Sequence, residues 1–145
     1  MYFLLYIYNM NIKQFLAVLG ISLLLIAIMD GAWLGFFQKK TWKEQVKDIQ
    51  GSDLKLRVEF GFIAYILMMI VPLTILQVSD KYMFNIFDDI LLSVVFALVL
   101  YGVYNNTNRA IFDKYTKVYL TDWIWGTFMF SFVTIVSVSI SKRLR

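Results

Sequence analysis

The chain has 145 residues, 60% of them hydrophobic and 18% aromatic, with a single proline and a net charge of +4 from 14 Lys and Arg against 10 Asp and Glu. Soluble domains are about half apolar; here the mean hydropathy is +0.67, concentrated in runs too long for core strands, which places the chain among integral membrane proteins. The absence of Cys and His excludes disulfides, thiolate catalysis, Cys/His zinc sites, histidine-ligated haem and a Ser-His-Asp relay. No basic stripe with interleaved aromatics lies outside the apolar runs, so nucleic acid is not among the expected partners. A chain this short is expected to form one integral membrane domain.

Residues 1–9 are apolar and aromatic, and Met10, followed by Asn11, Ile12 and Lys13, offers a second start beside Met1. The first predicted span covers residues 14–37, about 36 Å at the helical rise and long enough to cross. No small-x-small cleavage pattern follows its apolar stretch, which argues for a retained helix over a signal peptide. Gly31 and Gly35, extended backwards by Ala27, let another helix approach closely. Packing within the bundle is the expected use, and docking of another protein the alternative.

Residues 38–57 carry Lys39, Lys40, Lys43, Lys47, Lys55 and Arg57. Thr41 with Glu44 reads as a capping box and Gly51 as a stop. Trp42, Val46 and Ile49 share one face and Lys40, Lys43 and Lys47 the other, the pattern of a short amphipathic helix in the headgroup layer. The second predicted span covers residues 58–78. Pro72 should kink it, and Met68 and Met69 read as core filler. After the turn around Ser79–Tyr82, the third span covers residues 89–108. It ends in Tyr101, Tyr104, Asn105 and Asn108, which fall on one helical face. The fourth span covers residues 122–141 and is followed by Lys142, Arg143 and Arg145. Its hydroxyls at Thr127, Ser131, Thr134, Ser137 and Ser141 form a stripe that should bond back to their own helix or across to a neighbour. The expected fold is all-α: a four-transmembrane-helix bundle with a short interfacial helix between the first two spans.

Four spans put both termini on one side with five basic residues, and both longer connections on the other with nine. The positive-inside rule then favours termini outside. Alternation also brings four helix ends to one membrane face whatever the absolute orientation. Those ends carry Asp30 and Trp33; Glu59; Tyr101, Tyr104, Asn105 and Asn108; and Asp122 and Trp125. These residues are the candidate binding site. Asp30 lies within an apolar run, where an ionisable group is expensive unless it faces a polar interior. Asp122 admits a second reading as a helix cap. The sequon at Asn105-Asn106-Thr107 sits too near the bilayer to be read as a glycosylation site.

These residues also carry a resemblance. Asp30 with Trp33, Leu34 and Gly35, then Tyr101, Gly102, Tyr104, Thr107 and Asn108, then Asp122, Trp125 and Gly126 resemble the three motifs of a family of small membrane proteins, domain of unknown function 2177. The resemblance runs from about Met10 to the end of the chain. It implies the fold and the membrane class, and no activity. Where the family run has Asp, this chain has Asn105, which removes a negative charge and puts in doubt any proton or cation role resting on that acid.

Three functions compete. The first is a site that binds or conducts a cation or small polar solute, lined by Asp30, Asn105, Asn108 and Asp122 with Glu59 as a further candidate. Oxygen ligands suit hard cations, and the metal is left open. The second is non-catalytic assembly with a membrane protein or a second copy through the Gly31/Gly35 face. The third is an enzyme acting on lipid headgroups with Asp30 and Asp122 as acid and base, for which no phosphoryl- or acyl-transfer motif speaks. No catalytic residue is assigned and no cofactor is implied.

Overall fold

The computed structural model describes residues 11–144 and is all-helical across them. The choice between Met1 and Met10, and Arg145 of the basic tail, fall outside those residues. The helices are α1 (Ile12–Ala32), prolonged by a π-helical turn (Trp33–Phe37), then α2 (Lys39–Gln50), α3 (Val58–Met68), α4 (Ile70–Tyr82), α5 (Ile86–Ile111) and α6 (Tyr119–Lys142). Four continuous helical stretches, Ile12–Phe37, Val58–Tyr82, Ile86–Ile111 and Tyr119–Lys142, are long and apolar enough to cross a membrane. At 24 to 26 residues each they reach about 36–39 Å, which exceeds a hydrocarbon core of about 30 Å. The protein is a multi-pass integral membrane protein.

Local chemistry explains where the helices begin and stop. Asn11 caps α1 by accepting from the Lys13 N–H at 3.0 Å. Asn85 and Asp88 form a reciprocal capping box at the start of α5, so this span begins three residues before the expected position 89. The box expected at Thr41 and Glu44 is not used: α2 already starts at Lys39, without a side-chain cap. The chain passes from α1 into α2 through the π turn with only Gln38 between them, leaving no N-terminus for Thr41 to cap. Gly51 ends α2 in the left-handed region (φ 71°), where a side chain would be strained.

Pro72 breaks the second span where expected. It has no N–H to donate, and its ring crowds the carbonyl four residues back, on Met68. The helix is interrupted between Met68 and Ile70, and the Met69 N–H turns instead to the carbonyl of Ile66 at 3.1 Å. The two halves then behave differently. Within α4, Pro72, Ile75, Leu76 and Ser79 are buried, whereas α3 buries none of its residues and packs only lightly, against α1 and α4.

The most buried span is α6, and it packs against α1, α4 and α5. Its fit against α5 rests on two reciprocal close approaches. A Cβ on Gly126 would lie 2.0 Å from the Tyr101 ring, and one on Gly102 would lie 3.1 Å from the Trp123 ring. Each glycine thus receives an aromatic ring from the opposite helix. Ile26, Met69, Ala97, Met129, Phe130 and Val133 form one apolar cluster, and Val18, Ile75, Leu76 and Val138 a second. By contrast, Gly31 and Gly35 have open space where their side chains would be. The expectation that they pack within the bundle is therefore corrected: the contacts of α1 with α6 and α4 leave from its other side.

One helical turn beyond the second cluster the bundle end becomes polar. Gln14, Ser79, Asp89 and Ser141 are buried there. Lys142 pairs with Asp89 and also donates to the Phe84 carbonyl at 3.3 Å. Lys142 is thus an internal partner as well as a membrane-flanking cation, because a carboxylate as buried as Asp89 needs a counter-charge. Of the α6 hydroxyls, Ser131 bonds back to the Thr127 carbonyl at 2.6 Å and Ser137 to that of Thr134 at 3.1 Å.

On the opposite side, α2 is clamped to the connection between α5 and α6. The buried Gln45 amide donates to the Lys114 carbonyl at 2.6 Å, and its oxygen accepts from the N–H groups of Thr116 and Lys117 at 3.0 and 2.7 Å. Lys117 reinforces the clamp through Asp48 at 2.9 Å and Glu44 at 3.3 Å. The Asp48 hydrogen bond, and less strongly Glu44, holds the Lys117 ammonium above the usual lysine range. Gln45→Ala is expected to leave the Lys117 N–H unpaired and the Lys114 carbonyl and Thr116 N–H bonded only to each other, and to cost about 2 kcal/mol. Hydrogen exchange at Thr116 and Lys117 should rise sharply, and unchanged exchange there would count against the clamp.

Candidate functional site

The end of α1, the middle of α3, the end of α5 and the start of α6 meet in one layer beneath the clamp. Asp30 lies in the last turn of α1, where α6 packs beside it, and its Oδ2 accepts a 2.6 Å bond from the Tyr65 hydroxyl of α3. Asp122 stands in the first turn of α6, but that helix begins at Tyr119 after Val118 and has no side-chain cap. Asp122 is therefore not a cap. Its Oδ2 accepts instead from Asn105 Nδ2 at 2.8 Å.

Asn105 is the hub of the layer. Fully buried, it donates to the Tyr101 carbonyl at 3.0 Å as well as to Asp122. Its oxygen accepts from the Tyr115 hydroxyl at 2.8 Å. Both amide hydrogens and one acceptor site are thus used, which fixes the orientation of the amide. Burial, then the nearby Tyr104 and Asp122, push the Tyr115 phenol well above its ordinary value. It remains a hydroxyl donor at neutral pH and ties the clamped connection to the buried layer. A buried and fully engaged Asn105 is also unavailable as a glycan acceptor.

The aromatic residues form the sides of the layer. Trp33, at the start of the π turn, stacks on Trp125 with ring centroids 4.4 Å apart and planes 10° from parallel. The Trp125 side chain lies beside the Asp30 carboxyl, yet its N–H and that of Trp33 complete no hydrogen bond. Tyr101 packs its ring against Gly126. Neither carboxylate has a Lys or Arg at ion-pair distance among the described residues. Below the layer Met29, Tyr65, Tyr101 and Trp125 pack onto the first apolar cluster, which forms its floor.

Six of the nine expected residues thus meet around this layer: Asp30, Trp33, Tyr101, Asn105, Asp122 and Trp125; Tyr104, half exposed, and Asn108 stand beside it on the last turns of α5. Glu59 stands apart, exposed on the first turn of α3, with no hydrogen bond or ion pair to the others. Two participants were not expected. Tyr65 is the lone phenol in the apolar run from Phe60 to Met69, a signal that was present but unread. Tyr115 lies in a connection, where nothing in the sequence marks a residue as turning inward.

A model of the family described as predicted membrane protein (DUF2177) matches residues 13–139. The chain is a member of the DUF2177 family. No curated protein and no solved structure matches it. In this DUF2177 protein the three segments that carried the resemblance are those that build the layer: Asp30 and Trp33 from α1, Tyr101 to Asn108 from α5, and Asp122, Trp125 and Gly126 from α6. Asn105 is the residue that donates to Asp122. An aspartate there could donate only when protonated.

Proposed function

We propose that the layer binds a hard cation or a small polar solute carrying a positive or hydrogen-bond-donating group, within a four-helix bundle whose α2 lies over it in the headgroup region. The observation that carries this reading is the pair Asp30 and Asp122, two carboxylates at adjoining helix ends, neither with a basic partner among the described residues, backed by the Asn105 amide and the Tyr65 hydroxyl. Uncompensated carboxylates within a membrane bundle are costly and mark ion or substrate sites. No three His, Cys, Asp or Glu side chains among the described residues gather as a metal cluster. A bound cation would therefore draw on amide, hydroxyl and backbone oxygens, which suits sodium, magnesium or calcium rather than zinc. The apolar floor favours binding over open conduction.

The test is thermal unfolding of the purified protein against increasing concentrations of each ion. The wild type should gain stability as RT ln(1 + [L]/Kd), about 2.7 kcal/mol at a hundredfold excess over Kd. Asp30→Asn should lose that gain while keeping its helical content. If the melting temperature of the wild type ignores every ion and organic cation tried, the cation reading fails. The second reading is assembly through Ala27, Gly31 and Gly35, supported by the open space over both glycines. It expects a stable partner or second copy to co-purify and the ion titrations to be blank. An enzyme acting on headgroups has no observation in its favour.

A further inference from the structure

A groove of about 650 Å³ runs between α5 and α6 on the side of α6 turned away from the carboxylate layer. Thr127, on its wall, lies about 140° around the helix from Asp122. The wall is almost entirely apolar and is formed by Leu98, Trp123, Thr127, Phe128, Ser131 and Phe132, among others. Two hydrogen bonds hold its sides together, from Trp123 Nε1 to the Leu98 carbonyl at 3.3 Å and from Ser131 Oγ to the Ser93 carbonyl at 3.5 Å. The rings of Phe128 and Phe132 stack with centroids 6.3 Å apart, and the Trp123 ring is seated on Gly102. The groove is thus a trough with fixed walls. It follows α6 from Leu120 to Ile135, about 22 Å at the helical rise, a length commensurate with one extended acyl chain.

Its upper end is polar. The Tyr119 hydroxyl donates to Asn106 Oδ1 at 2.9 Å, and Asn106 donates to the Gly102 carbonyl at 2.8 Å. Arg109 is one turn further along the same face of α5, and Lys114 follows in the connection. Both are exposed, and neither has a carboxylate at ion-pair distance among the described residues. Arg109 is positioned by a 2.9 Å bond to the Asp113 carbonyl. An unneutralised Arg109 above an apolar trough, with Lys114 five residues further on in the connection, complements a phosphate above an acyl chain. We propose that this groove is a binding site for an anionic glycerophospholipid, one chain lying along Trp123, Phe128 and Phe132 and the headgroup phosphate meeting Arg109 and Lys114. The site is independent of the carboxylate layer.

The experiment is fluorescence quenching in phosphatidylcholine vesicles doped with brominated-chain phosphatidylglycerol or brominated-chain phosphatidylcholine. The Trp123 signal is the difference between the unmodified protein and Trp123→Phe, each checked for helical content. Phosphatidylglycerol should quench Trp123 at a lower mole fraction than phosphatidylcholine, by about fivefold for each cation engaged. Arg109→Gln with Lys114→Gln, both exposed and remote from the core, should bring the two curves together. Native mass spectrometry should show one phosphatidylglycerol retained by the unmodified protein and lost in the double variant. Coincident curves for the unmodified protein would overturn the site. So would an unquenched Trp123 in a protein whose copies cross-link through cysteines placed at Val94 and Phe132, which would give the groove to a second copy.

Discussion

Gly126→Ala is expected to be among the most destabilising single-methyl additions in this protein. The new Cβ would lie 2.0 Å from two atoms of the Tyr101 ring and 2.5 Å from its Cγ. Because Cγ stays in place when the ring turns about Cβ–Cγ, a ring flip does not clear the clash, and either Tyr101 leaves its rotamer or α5 and α6 separate. Overpacking of this kind costs about 3 kcal/mol, and a domain of this size loses roughly 2–4 °C for each kcal/mol. The melting temperature in detergent should fall by roughly 10 °C. Gly31→Ala provides the contrast. With open space at that position, the added methyl meets nothing, and the helix gains the preference of Ala over Gly. Its melting temperature should hold or rise slightly. The double variant Tyr101→Ala with Gly126→Ala should recover part of the loss, since the two residues are in contact and their effects are not additive. Additive effects in that cycle would show that the ring is not what Gly126 accommodates.

Asn105→Asp is the second large effect, and it discriminates between functions. The substitution is nearly isosteric, so packing is unchanged. At the hub, however, a donor to Asp122 at 2.8 Å and to the Tyr101 carbonyl becomes an acceptor. A third carboxylate then joins Asp30 and Asp122 in a layer that has no basic partner. Leaving such a charge uncompensated costs about 3–5 kcal/mol, so the variant should be markedly less stable than the parent in ion-free buffer. If the layer is a cation site, magnesium or calcium should restore the variant and stabilise it more than the parent, because a more negative oxygen cage binds divalent ions more tightly. Equal destabilisation with and without divalent ions would point to a purely structural hub. Asp122→Asn in the same background should remove much of the ion dependence, since it dissolves the carboxylate pair at its closest approach.

The membrane class, the four apolar stretches and the kink at Pro72 were legible in the residues alone. Each follows from local physics: the length and apolarity needed to cross hydrocarbon, and a ring that cannot donate a backbone bond. The meeting of Asp30, Tyr101, Asn105 and Asp122 was legible too, because alternating spans bring those helix ends to the same face. Sequence could not tell which way each polar group turns once there. Asp122 reads equally as a cap, and only the start of α6 at Tyr119 places it within the first turn, past the cap position, and on Asn105. Glu59 stands in the first turn of α3, about 9 Å along the helix from the Tyr65 that meets Asp30, and α3 packs loosely above the kink, so Glu59 remains outside. Gly31 and Gly126 are the same residue type in similar apolar settings, yet one faces open space and the other an aromatic ring. Tyr65, Tyr115 and the Asp89–Lys142 pair join residues between 10 and 53 positions apart. Local pattern fixes length, period and depth in the bilayer, whereas azimuth and long-range partnership are set by how the helices pack, and only the tertiary structure decides them.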